Sequence, residues 1–197
     1  MVWHMIIVST DGSCLRNPGG AIGWAWVNHE GPSRAGGERS GTNQIAELRA
    51  LLEALKAHPG PEPMIIESDS QYAIKCASEW LPGWKRKGWK TATGAPVKNL
   101  DLVQAIDRVL AERSGPVRFR WVRGHVGNHF NELADKLAGE AARAQGAAPP
   151  APKAPVSEPA GPEPTPARPE PTPAPARAKK AVRRTVKVVE EVELTLF

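Results

Sequence analysis

The apolar positions fall into blocks of different period, and each block predicts an element. Met5 to Thr10 is a short β-branched run that stops at Asp11-Gly12. Ala21 to Val27 is a second, reached through the turn-forming Asn17-Pro18-Gly19-Gly20. A more polar strand is expected from Ser33 to Ser40, so the first forty residues read as an antiparallel meander. Ile45, Leu48, Leu51, Leu52 and Leu55 recur at helical spacing and predict a helix from Thr42 to Ala57, which His58-Pro59-Gly60-Pro61 stops. Met64-Ile65-Ile66 predicts a buried strand with Asp69 just past its end. Ser70 to Glu79 suits a helix, and Leu100, Val103, Ile106, Val109 and Leu110 mark another from Asn99 to Glu112. Val117 to Val122 predicts a last strand, and Phe130 to Arg143 a closing helix. A meander followed by helix, strand, helices, strand and helix predicts an α/β protein of the α+β kind, a mixed sheet with helices packed on it.

Proline divides the chain unevenly, with eight residues before position 147 and twelve between Pro149 and Pro175. We expect a globular domain over 1–146, a Pro/Ala-rich disordered linker over 147–180 that favours extended polyproline II, and a C-terminal interaction segment over 181–197. The net charge is +5, of which +3 falls in 1–146, a modest excess that supports a polyanionic partner only weakly. Cys14 and Cys76 lack the spacing of a zinc or redox pair and are expected to be reduced thiols. No secretory pattern opens the chain and no run approaches the roughly 20 apolar residues of a membrane span, so we expect a cytoplasmic, nucleoid-associated monomer.

Four carboxylates sit in four small motifs: Asp11 in Thr10-Asp11-Gly12-Ser13, Glu47 in Thr42-Asn43-Gln44-Ile45-Ala46-Glu47, Asp69 in Glu67-Ser68-Asp69-Ser70, and Asp135 in Asn131-Glu132-Leu133-Ala134-Asp135. A carboxylate at an apolar strand end or on an otherwise apolar helix is costly to bury, so four in such settings point to a shared cation. Carboxylates suit Mg²⁺ or Mn²⁺, and the missing Cys/His cluster argues against zinc.

With Ser68-Asp69-Ser70 and Tyr72, Gly83-Trp84 to Trp89-Lys90-Thr91, and Trp121-Val122-Arg123-Gly124-His125 running to Asn131, these motifs closely resemble type 1 ribonuclease H. The resemblance covers residues 5–143 in order. It implies a ribonuclease H-like fold, a five-stranded mixed sheet with helices on both faces, and hydrolysis of the RNA strand of RNA/DNA hybrids to 5′-phosphate and 3′-hydroxyl ends. Asp11, Glu47, Asp69 and Asp135 would hold two Mg²⁺ ions, with Mn²⁺ possible, about 4 Å apart. His125, in the glycine-flanked Gly124-His125-Val126-Gly127, would carry a proton or assist product release. Competing readings are a hybrid-binding module without catalysis and a DNA-acting nuclease of the same fold.

Choosing the RNA strand requires reading its 2′-hydroxyls. The resemblance implies that Gly12, Ser13, Cys14, Asn17, Thr42, Asn43, Gln44, Gln71 and Asn131 contact substrate, although Asn43 could also simply cap its helix. Trp80, Trp84 and Trp89, interleaved with Lys85, Arg86, Lys87 and Lys90, resemble the family's basic protrusion, which grips the DNA strand. Trp24, Trp26 and Trp121 fit ordinary core or sheet positions. Arg16, where glycine is common, and Asn128-His129-Phe130 depart from familiar members.

The chain closes with Glu193-Leu194-Thr195-Leu196-Phe197, which resembles the bacterial sliding-clamp-binding peptide, Gln-Leu-(Ser or Asp)-Leu-Phe. Leu194, Leu196 and Phe197 would be apolar anchors, and Glu193 stands where glutamine is usual. The competing readings are an added strand or oligomer contact, and a tail with no specific partner.

Overall fold

The computed structural model describes residues 4–147, and the Pro/Ala-rich stretch and the residues 193–197 lie outside the described residues. Five strands, β1 (Ile6–Cys14), β2 (Ile22–Asn28), β3 (Ser33–Glu38), β4 (Met64–Ser68) and β5 (Val117–Trp121), form one sheet in the order β3-β2-β1-β4-β5. The meander is antiparallel, whereas β4 pairs parallel with both β1 and β5. Parallel neighbours need crossovers, and the helices α1 (Asn43–Ala57), α2 (Gln71–Lys75), α3 (Leu81–Arg86) and α4 (Leu100–Glu112) supply them. The last helix, α5 (His129–Ala147), follows β5.

Helices cover both faces, and two glycines show how closely. Gly12 pairs with Trp24, and its neighbour Ser13 pairs with Gly23, so Gly12 and Gly23 lie on opposite faces. A Cβ on Gly12 would overlap the α1 backbone at Ala46 and Glu47, and a Cβ on Gly23 would overlap the α5 backbone at Ala138 and Ala142. On the α1 side, Leu48, Leu51, Leu52 and Leu55 pack with Val8, Met64 and Ile66 from the sheet and Val103 and Ile106 from α4. These are the apolar positions whose helical spacing was legible in the sequence. On the α5 side the buried helix residues other than Asn131 are small: Ala134, Ala138, Gly139 and Ala142. They let that helix lie close to the sheet.

Two elements differ from expectation. First, β1 does not stop at Asp11-Gly12 but continues to Cys14, because β2 supplies ladder partners as far as Cys14↔Ile22. Pairing with β4 ends at Ser9↔Glu67, so beyond those residues β1 has no parallel neighbour. Second, the helix expected from Ser70 to Glu79 breaks into α2 and a single π-helical turn over Cys76–Trp80, and runs on as α3 to Arg86. Pro82 has no N–H to donate, and at the second position of α3 none is required. Of the core and sheet positions expected for Trp121, it takes the second: it closes β5 with 48% of its surface exposed, its indole N–H donating to the Asp69 carbonyl at 3.0 Å.

Candidate active site

Asp11 and Asp69 occupy the crevice where β1 and β4 cease to pair, at the carboxyl ends of parallel strands. Gly12 admits the first turn of α1 against β1, which brings Glu47 to the same point. One carboxylate oxygen from each of Asp11, Glu47 and Asp69 lies within 4.8 Å of the others. Gly124 keeps the loop after β5 close, because a Cβ there would overlap the Asp69 carboxylate. Asp135, on α5, stands outside this trio and half-exposed, but it lines the same cleft of about 430 Å³ together with Ser13, Cys14, Asn43, Ser70 and His125. His125 is exposed at a positive φ of 55°, its Nδ1 3.8 Å from Asp135 Oδ2.

Burial and mutual repulsion both oppose ionisation here. Burial, then the charges of Asp69 and Asp135, push Asp11 up to about 8, although the Gly12 N–H donates to its Oδ1 at 2.8 Å. Burial followed by Asp11 pushes Glu47 well up, and burial raises Asp69 against the opposing pull of His125. Glu47 is 6% exposed, and its buried Oε2 meets no hydrogen-bond donor. A buried carboxylate oxygen without a partner is costly, and a hard cation shared with Asp11 and Asp69 removes that cost. The donor set therefore fits Mg²⁺ or Mn²⁺.

The five-stranded mixed sheet with its helices is shared with a known fold family. The RNase H family model matches residues 4–143. The chain belongs to the RNase H family. The Ribonuclease H of Herminiimonas arsenicoxydans is 48% identical over 136 residues, covering 68% of this chain and 91% of that one. That of Anaeromyxobacter sp. (strain K) is 46% identical over 147 residues, covering 70% and 79%. Among solved structures, LC9-RNase H1, a type 1 RNase H with the type 2 active-site motif, superposes with a TM-score of 0.64 at 30% identity over 74% of this chain and 75% of that one. The protein is thus a ribonuclease of the RNase H family.

The remaining expected positions are distributed unevenly around the RNase H cleft. Thr42, not Asn43, caps α1: its Oγ1 accepts the Ile45 N–H at 3.2 Å. Asn43 is thereby free to line the cleft, and its own N–H donates to the Asn17 carboxamide at 3.3 Å. Gln44 and Gln71 are exposed in the first turns of α1 and α2, outside the cleft lining. Asn131 differs from expectation. It is only 2% exposed, because its position on α5 faces the sheet, and a substrate contact needs an accessible atom. Ser70 lines the cleft and caps α2, accepting the Ala73 N–H at 3.3 Å, and was not singled out as a site residue. Its place beside Asp69 in Ser68-Asp69-Ser70 was the available signal.

The basic segment stands apart from this cleft. Trp80 and Trp84 lie 5.5 Å apart between ring centroids, and Tyr72 meets Trp80 edge-on at 6.1 Å. Trp84 and Trp89 are partly buried and pack on the core. Lys85 is tied to Asp107 of α4 at 2.8 Å, while Arg86, Lys87 and Lys90 are exposed.

Proposed function

We propose that this enzyme hydrolyses the RNA strand of RNA/DNA hybrids, with Asp11, Glu47, Asp69 and Asp135 holding two divalent ions. The single observation that carries the metal reading is the buried, unpartnered Glu47 Oε2 within a trio of converging carboxylate oxygens. When bound, Mg²⁺ supplies an acidified water and positive charge for the leaving 3′ oxygen, giving 5′-phosphate and 3′-hydroxyl products. The chain's own residues do the rest. Asp11, Glu47 and Asp69 are held by strand and helix backbone before substrate arrives, so their reorganisation cost is small. Asp135, half-exposed at the mouth, adds its carboxylate from α5. His125, in a glycine-flanked loop and facing Asp135, takes or gives a proton as product leaves.

Strand choice is assigned to the polar lining around Gly12, Ser13, Cys14, Asn43 and Ser70, with backbone and side-chain partners for a 2′-hydroxyl. Asn17 orients Asn43, and Gln44 and Gln71 flank the cleft from the two helix starts. The DNA strand is assigned to Trp80, Trp84 and Trp89 with Arg86, Lys87 and Lys90, a stacking surface beside free cations. Glu193-Leu194-Thr195-Leu196-Phe197 is assigned to a bacterial sliding clamp, on the strength of its sequence pattern and of the bacterial origin of the similar ribonucleases. A tether of that kind raises local concentration at replicating DNA without altering the site. Among the described residues no helix is long and apolar enough to cross a membrane.

The direct test is Asp11→Asn. Hybrid affinity measured by fluorescence anisotropy stays within about twofold of wild type, while cleavage with Mg²⁺ falls by more than about a thousandfold, the scale on which lost electrostatic stabilisation acts. Cleavage by this variant at the wild-type rate removes the metal mechanism.

A further inference from the structure

Two further polar residues lie buried two positions before Asp11 and Asp69, Ser9 on β1 and Glu67 on β4. Ser9 precedes Asp11 and Glu67 precedes Asp69 at a spacing of two. Ser9, two residues from Asp11 on β1, shares its face of the sheet. Glu67 is 4% exposed, and Arg120 on β5 donates a charged hydrogen bond to its Oε1. Its Oε2 accepts from the Ser9 hydroxyl at 3.3 Å. The same hydroxyl is hydrogen-bonded to His29 Nε2 at 3.0 Å. The other face of this chain of contacts is aromatic. The His29 ring lies flat on Phe130, with centroids 3.8 Å apart and planes 13° apart.

Phe130 is the second residue of α5 and stands five residues from both His125 and Asp135. The loop carrying His125 is sewn to the same turn: the Gly127 N–H donates to Glu132 Oε1 at 2.9 Å, and the Asn131 N–H to Asn128 Oδ1 at 3.2 Å. Asp135 has no cationic partner within 4 Å other than His125 among the described residues, so the helix itself sets where its carboxylate stands. An ion pair at the depth of Glu67 gives up much of its Coulombic gain to desolvation, and stability is a weak reason to build one. Holding one geometry is a better one.

We propose that Glu67, Arg120, His29 and Phe130 form a positioning clamp that fixes the first turn of α5 to the sheet and thereby sets Asp135 and His125 against Asp11, Glu47 and Asp69. None of the four touches the reacting atoms; they act through α5. The clamp explains the departure at Asn128-His129-Phe130, since Phe130 supplies the surface on which His29 stacks. It rests on the assignment of Asp135 and His125 to the site.

The variants His29→Ala, Phe130→Ala and His29→Phe, made in the full chain, test it. An ångström of misplacement costs on the order of a hundredfold in rate. Both alanine variants lower kcat on RNA/DNA hybrid by about tenfold or more with KM within about twofold, and His29→Phe, which keeps the stack, recovers most of the loss. Wild-type kcat in both alanine variants, a change in KM alone, or His29→Phe as slow as His29→Ala overturns the clamp. Amide hydrogen exchange reads it without activity. In His29→Ala, residues 126–135 exchange about tenfold faster while Ala138 to Arg143 is unchanged, and equal exchange in the first segment overturns the proposal. A wild-type protein that leaves hybrids intact but shows the exchange difference retains the clamp and removes the hybrid-cleavage reading.

Discussion

Asp11 shows what the trio does at the scale of single residues. Raised to about 8 from an ordinary 3.8, chiefly by burial, it binds a proton in the folded protein over a range where the unfolded chain has released it. The sign follows: the folded state gains stability from this group below about pH 4 and loses it as pH rises towards about 8. On the proposed metal reading, a bound cation replaces that proton. In chelator, the melting temperature should therefore fall from about pH 5 to about pH 8, and Asp11→Asn should flatten the fall. Saturating Mg²⁺ should raise it more at the higher pH, by about 2.7 kcal/mol of added stability at a hundredfold excess over Kd. Thermal melts at the two pH values check this, and an equal Mg²⁺ effect at both contradicts it. Each member of the trio was legible from its own small motif, because an acidic residue in an apolar setting announces a cost. Asn131 was misread for a related reason: its type suggested contact with substrate, while its burial is a property of the helix face on which it falls.

Elements carry the next layer, and here the sequence was less transparent. Leu48, Leu51, Leu52 and Leu55 revealed α1 by period alone, but nothing in Asp11-Gly12-Ser13-Cys14 reads as strand, because the β2 ladder that holds it is a tertiary partner. The same holds for the π-helical turn at Cys76–Trp80 and the helix that continues past it, where Leu81 and Trp84 pack on the core. That turn places Trp80 and Trp84 together and leaves Arg86 and Lys87 exposed, while Lys85 is paired with Asp107. Removing both exposed cations, Arg86→Ala with Lys87→Ala, should weaken hybrid binding and reduce the slope of log affinity against log salt by about 0.9 for each phosphate that is no longer neutralised. The kcat should stay within about twofold. Anisotropy titrations across a range of KCl measure the slope, and an unchanged slope removes these two residues from the phosphate grip.

On the scale of the whole molecule, the RNase H domain and the closing peptide are assigned separate tasks. The family fold positions carboxylates that originate far apart in sequence, and no spacing rule in the chain states that Asp11, Glu47 and Asp69 meet. Their convergence belongs to the sheet order β3-β2-β1-β4-β5, which opens the crevice beside β1. Leu196→Ala with Phe197→Ala should abolish binding to a purified sliding clamp in a pull-down and leave hybrid cleavage unchanged; equal clamp binding sinks the tether. The central claim, a metal-dependent ribonuclease specific for hybrids, is tested most directly by labelled RNA/DNA hybrid, double-stranded RNA and DNA duplex, each incubated with Mg²⁺ and with chelator. The account predicts cleavage of the RNA strand in the hybrid alone, and only with Mg²⁺; cleavage in chelator, or of either other duplex at a comparable rate, contradicts it.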